Sequence, residues 1–185
     1  LFRSYKEQAG NSNDVDFVVE NGITDADTVN ITLHNGGSLG TNLYYSAVSP
    51  YNTLSSGKYF IDVNATNGNT LASYEFNLST HPGSAGVLFS SGFADSAANQ
   101  NAASAGLFIA WPDGTVEQQS EVNYPKLQVI HNSGDPSLAT ADFYLDGNLI
   151  LDDFAYRNAT PMFETEPLVN HTLGIAFSNS TSEIG

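Results

Sequence analysis

Apolar and polar residues alternate along this chain in short runs. Val15-Asp16-Phe17-Val18-Val19, Thr28-Val29-Asn30-Ile31-Thr32-Leu33 and Lys58-Tyr59-Phe60-Ile61-Asp62-Val63 are of this kind, as are Leu71 to Leu78, Ala85 to Ser90 and Ala105 to Trp111. A period of two, filled with β-branched and aromatic residues, predicts strands. Turn formers separate them: Asn35-Gly36-Gly37, Asn67-Gly68, Pro112-Asp113-Gly114 and Asp146-Gly147-Asn148. Asn-Gly suits the positive φ of a tight hairpin, so Asn67-Gly68 is expected to join the strand ending near Val63 to the one starting near Leu71. Tyr59, Ile61 and Val63 should share one face, with Tyr74, Phe76 and Leu78 as the matching set one strand over. No segment keeps a helical period with caps at both ends, and the Asn/Ala/Ser-rich stretch from Ala94 to Ala105 reads as a loop. Short strands at such spacing predict an all-β fold, an Ig-like antiparallel β-sandwich.

The pattern also recurs. Val18-Val19-Glu20-Asn21-Gly22 through Asp25, then Thr28 to Leu33, matches Val129-Ile130-His131-Asn132-Ser133 through Asp135, then Thr140 to Leu145. Leu43-Tyr44-Tyr45 with Ser49-Pro50 matches Phe154-Ala155-Tyr156 with Thr160-Pro161. A period of roughly 111 residues means tandem domains, not the short units of a solenoid. The expected organisation is residues 1–14 as the tail of a preceding module, 15–122 as a complete sandwich, and 123–185 as the N-terminal half of a second. That half carries counterparts of only the first few strands. Its inner face would be closed by further polypeptide of its own chain or, through strand addition, of another.

Composition narrows the partners. Twenty Asp+Glu against five Lys+Arg give a net charge of −15. Such a surface repels phosphate backbones and anionic lipid, which argues against nucleic-acid partners and direct membrane insertion. There is no cysteine, hence no disulfide framework and no thiolate chemistry. No apolar run approaches the roughly 20 residues of a membrane-spanning helix.

Val129-Ile130-His131-Asn132-Ser133-Gly134-Asp135-Pro136, followed by Ala141-Asp142-Phe143-Tyr144-Leu145-Asp146-Gly147, is similar to the opening of the bacterial family called "domain of unknown function 4397". Leu151-Asp152-Asp153-Phe154-Ala155-Tyr156-Arg157 with Thr160-Pro161 continues the likeness. The first copy resembles the other half-unit of the long secreted versions, through Glu20 to Val29 and Ser91-Gly92-Phe93-Ala94-Asp95-Ser96-Ala97-Ala98-Asn99. Glu20 and Asn21 stand where that family has His-Gly, and Asp27 replaces its proline, which argues against an essential catalytic histidine there. The resemblance implies a secreted, multi-module bacterial surface protein exported by the type IX route, and it implies no enzymatic activity. Asp27-Thr28-Val29 and Asp95-Ser96-Ala97 resemble the O-glycosylation acceptor of such bacteria, which makes Thr28 and Ser96 candidate glycosylation sites.

Candidate chemistry is sparse. Gly36-Gly37-Ser38-Leu39-Gly40 fits the nucleophile-elbow pattern, but that motif needs a strand before it and a helix after it, and here a glycine-rich hairpin turn is expected. His34, His81, His131 and His171 lack metal-ligand spacing. His131, before a turn, should bond turn backbone. Asp142, Asp146, Asp152 and Asp153 crowd one hairpin, Asp25 and Asp27 crowd the equivalent turn of the first copy, and such carboxylates offer the hard oxygens calcium prefers, although no Asp-x-Asp-x-Asp-Gly loop is present. Tyr44, Tyr45 and Trp111, with Tyr51 and Tyr124, are candidates for a glycan-stacking platform. The sequence therefore reads as a non-enzymatic structural or adhesive module of an extracellular, cell-surface protein. Its expected partners are neighbouring modules of the same or another chain, surface glycans or other cell-surface proteins, with no cofactor beyond a calcium ion. A glycan-binding module is the alternative, and an enzyme the third reading.

Overall fold

Strand pairing accounts for nearly all the regular structure in residues 5–26 and 28–180, the part that the computed structural model describes. One turn of 3-10 helix, Pro136–Leu138, interrupts it, started by Asp135, whose carboxylate accepts from the Ser137 amide. The chain divides into two compact units, Leu1–Val122 and Asn123–Gly185.

The first unit contains β1 (Asp14–Ile23), β2 (Val29–Leu33), β3 (Ser38–Leu43), β4 (Asn52–Ser55), β5 (Lys58–Ala65), β6 (Thr70–Asn77), β7 (Ala85–Gly92), β8 (Gly106–Ala110), β9 (Val116–Gln118) and β10 (Ser120–Val122). They form two five-stranded sheets, ordered β4-β1-β7-β8-β9 and β10-β6-β5-β2-β3. The alternation decides what lies between them. Ile61, Val63, Tyr74, Phe76 and Leu78 are buried together with Phe17, Val19, Ile31, Leu88, Leu107 and Ile109. Phe17 meets Phe76 edge to face at 5.3 Å, joining the two sheets. On the opposite side of β5, Asp62 accepts hydrogen bonds from Ser73 Oγ at 2.6 Å and pairs with His34 Nδ1 at 2.8 Å.

The β5–β6 hairpin turns at Asn67-Gly68 as expected, with Gly68 at φ +88°. Two sequence expectations need correction. β1 runs parallel to β7, so the first sheet is mixed instead of wholly antiparallel; the long excursion through the other sheet supplies the crossover that a parallel pair requires. The glycine-rich stretch is a turn only at its start, because Ser38 and Gly40 already lie in β3. Residues 5–13, assigned from sequence to a preceding module, are fastened to the first unit. Gln8 bridges Ser84, the Ala9 amide donates to Gly83 O, and Lys6 Nζ reaches Asp16 at 2.7 Å.

The second unit contains β11 (Lys126–Leu127), β12 (Thr140–Leu145), β13 (Asn148–Ala155), β14 (Phe163–Glu164) and β15 (Leu173–Phe177), in sheets ordered β11-β14 and β13-β12-β15. Its pairings mirror those of the first. Phe17 faces Asn52 as Leu127 faces Phe163. Ile31 lies between Gly40 and Val63 as Phe143 lies between Leu151 and Ile175. Left-handed backbone recurs as well: Asn35, Asn42 and Ser46 at φ 54°, 51° and 64°, then Asp146, Asp153 and Arg157 at 52°, 48° and 65°.

What covers the two sheets differs. β5 is paired on both sides and buries Ile61 and Val63, whereas β15 is paired only with β12 among the described residues. Leu173, Ile175 and Phe177, on one face of β15, remain 53%, 57% and 55% exposed. The buried cluster of this unit is correspondingly small: Val129, Ala141 and Phe143.

Candidate functional site

Polar side chains in the interior are the first place to look for chemistry, because burying them without partners is costly. Asn21 is fully buried in β1. Its Nδ2 donates to Leu43 O at 2.9 Å, and its Oδ1 accepts from the Ile23 amide and Ser90 Oγ, each at 3.0 Å. His131 is its counterpart in the second unit. Asn21 exchanges backbone hydrogen bonds with Ser46 and Ala47, and His131 does so with Arg157 and Asn158. His131 Nε2 lies 2.8 Å from Leu138 O, and Nδ1 lies 3.4 Å from the Ser133 amide. Both side chains pin loops to a strand end, the role expected of His131. The strand alignment, however, moves by one residue: hydrogen bonding equates Asn21, not Glu20, with His131.

The four aspartates proposed for calcium separate into two groups. Asp142, Asp152 and Asp153 bring carboxylate oxygens within 4.8 Å of one another, with Asp142 buried and the other two exposed. These three could hold a hard divalent cation. Asp142 also has backbone work, accepting from the Asp153 amide at 2.8 Å and the Ser180 amide at 3.1 Å. Its counterpart Asn30 accepts from the Asn42 amide at 2.8 Å. Asp146 stands apart at the hairpin tip. It pairs with His171 Nδ1 at 2.6 Å and accepts from the Thr172 amide at 2.8 Å. Hydrogen bonding to His171 holds the Asp146 carboxyl below the ordinary range, and the same bond raises the His171 imidazole.

Trp111 leaves the glycan-platform set. It is buried, and one face of its indole stacks on His81 with ring centroids 3.9 Å apart and planes within 9°. A sugar needs an open aromatic face, which this ring does not present. Tyr44 and Tyr45 are exposed, at 67% and 53%. Tyr51 is engaged, its hydroxyl accepting from the Lys6 amide and its ring lying 4.5 Å from Lys6 Nζ. Tyr124 is half-buried.

At one end of the first unit, two loops are tied together in a way no local pattern announces. Asp25, just after β1, accepts from the amides of Ala94 and Asp95 at 2.7 and 2.9 Å and from Asn99 Nδ2 at 3.0 Å. The Asp95 amide, followed by that of Ala94, lowers the Asp25 pKa. This clasp joins the segments that carry both proposed glycosylation sites. Thr28 is half-buried. Ser96, also half-buried, donates its hydroxyl to Ala102 O. Asp27, the residue before Thr28, lies outside the described residues. Beside the clasp, the two sheets part around a cavity of about 270 Å³ lined by Ile23, Val63, Leu71, Tyr74, Phe93 and Ala105, with Glu121 at its border.

The nucleophile-elbow pattern has no helix behind it, and Ser38 Oγ bonds Thr41 Oγ1 at 2.8 Å. No protein-family model matches the chain, and no curated protein matches it.

Proposed function

We propose that the chain is a stretch of Ig-like β-sandwich modules in tandem, serving an extracellular protein of the bacterial cell surface as a non-enzymatic structural or adhesive element. The observation that carries this reading is the recurrence of strand pairings, loop-pinning hydrogen bonds and left-handed positions roughly 111 residues apart, a spacing that suits domain repeats. The acidic surface suits a protein kept soluble outside the cell. The clustered ionisable groups favour architecture, since Asp25, Asp142 and Asp146 each accept hydrogen bonds from backbone amides.

The partner this reading implies is a neighbouring module. In the first unit the equivalent of the open β15 face is closed by β6, with Phe76 and Leu78, and by the facing sheet with Leu88 and Leu107. The occupant of the β15 face is therefore polypeptide of the β6–β8 type, adding first as a strand on β15. Hydrogen exchange of the intact chain tests this. The β15 amides should exchange much faster than those of β5. A peptide of residues 68–79, which carries the β6 pattern, should slow β15 in excess and leave the β9 edge unchanged. Protection of β15 equal to that of β5, or no slowing by the peptide, would refute the arrangement.

A glycan-binding module remains the second reading, favoured by the adjacent exposed rings of Tyr44 and Tyr45. It requires saturable binding on a glycan array that disappears in the Tyr44→Ala/Tyr45→Ala double variant.

A further inference from the structure

The cavity of the first unit differs from an ordinary gap between sheet ends in three respects. Its walls are apolar, formed by Ile23, Val63, Leu71, Phe93 and Ala105, which excludes a polyol as the natural filling. One wall is a long segment without regular strand structure, between Gly92 at the end of β7 and Gly106 at the start of β8, held in place by the Asp25 clasp. Loops of this length inside compact domains are commonly functional. Finally, Tyr74 lines the cavity while only 5% exposed, and no described residue hydrogen-bonds its hydroxyl. The residue is buried, but its oxygen keeps access to the cavity, so a ligand can reach it. Of the other polar wall residues, Ser90 is already committed, donating to Asn21 Oδ1 and accepting from the Gly22 amide, and Ser104 is exposed.

Besides the exposed Ser104 hydroxyl, the polar features left for a ligand are the Tyr74 oxygen and the Glu121 carboxylate. β10 pairs Glu121 directly opposite Tyr74, so both project from the same side of the sheet. Both oxygens accept hydrogen bonds, and the carboxylate attracts positive charge. An anionic head group would meet Glu121 and a chain of net charge −15. We propose that this cavity is a binding site for a small ligand with an apolar, ring-sized body and a protonated amine head, the body between the sheets and the ammonium on Tyr74 and Glu121. The volume is slightly below the range for drug-sized molecules, which sets the size of the body. This site is independent of the tandem-module reading, because it lies wholly within the first unit.

Nuclear magnetic resonance titration of the intact chain tests it with three matched probes: 2-phenylethylamine, neutral 2-phenylethanol and anionic 3-phenylpropanoate. The amine should give saturable shifts at Ile23, Leu71, Phe93 and Ala105, with a Kd of about 1–10 mM for so small a ligand. The alcohol should bind more weakly and the carboxylate least. Ala72→Leu, which fills the cavity from β6, should abolish the shifts. Should that variant fail to fold, Glu121→Gln at the exposed border decides the head group, lowering affinity for the amine about threefold while leaving the alcohol unchanged. Tyr74→Phe should weaken both. The proposal is overturned if none of the probes produces saturable shifts around the cavity, if a folded Ala72→Leu variant binds as before, or if the carboxylate binds as well as the amine.

Discussion

Asp142 shows how little of a side chain's role its type reveals. By sequence it is one of four carboxylates on a hairpin; in the fold it is an acceptor for two backbone amides at an irregular step of the β12–β13 ladder. Asn30, doing half of that work in the first unit, supplies the control. Asp142→Ala should cost about 2 kcal/mol, because both amides lose their acceptor, and Asp142→Asn about 1 kcal/mol, because one bond survives. Chemical denaturation followed by signals of the second unit checks the order, and an Asn variant as damaging as Ala would show that the negative charge itself is required. The signals that misled or were missing at this scale have physical causes. Trp111 follows the last residue of β8, where exposure cannot be read from sequence, and it is buried in the core cluster of the first unit with one face stacked on His81. Asp25 reads from sequence as part of an acidic turn, and its clasp gave no signal because the partners lie some 70 residues away at Ala94, Asp95 and Asn99.

At the scale of elements, strands with one buried face were the legible ones. The pattern of β5 and β6, and the Asn-Gly between them, is enough to pair the two strands. β1 was legible as a strand but not in register. Val15 to Val19 are buried on both faces, so no alternation marks which residue points where, and a one-residue slip leaves the apolar match intact. Hydrogen bonds resolve it: Ser49 N donates to Val19 O, and Thr160 N to Val129 O. The contrast between β5 and β15 gives a direct prediction. Val63 and Ile175 hold equivalent register positions, yet Val63 is 5% exposed and Ile175 57%. Val63→Ala should destabilise the first unit by about 2 kcal/mol, whereas Ile175→Ala should change the second by less than about 0.5 kcal/mol. Thermal unfolding of the two variants checks this, and equal losses would mean that the β15 face is covered in solution.

For the whole molecule, acid and base act through different groups. Backbone amides lower the carboxyls of Asp25, Asp113 and Asp135, through Asp95, Thr115 and Ser137 respectively, and His171 lowers Asp146. At Asp16, burial pushes upward but is outweighed by Lys6 and Thr53. A folded-state pKa below the unfolded value contributes stability above the ordinary value of 3.8 that is lost as pH falls through the folded one, so acid should weaken both units. His171 is shifted the other way. Its contribution is complete below 6.5 and disappears as pH rises through its raised folded value, so mild alkali should loosen the second unit. An imidazole titration midpoint above 6.5 that moves back towards it in Asp146→Asn is the expected result; a midpoint unmoved by that substitution would remove the cause. The left-handed positions carry a different consequence. Asn35 has become Asp146, Asn42 has become Asp153, and Ser46 has become Arg157, with the torsion kept each time. If both halves descend from one duplicated stretch of gene, drift has rewritten the letters while the path of the main chain was inherited, so kinship within this protein is better traced through its backbone angles than through its residue identities.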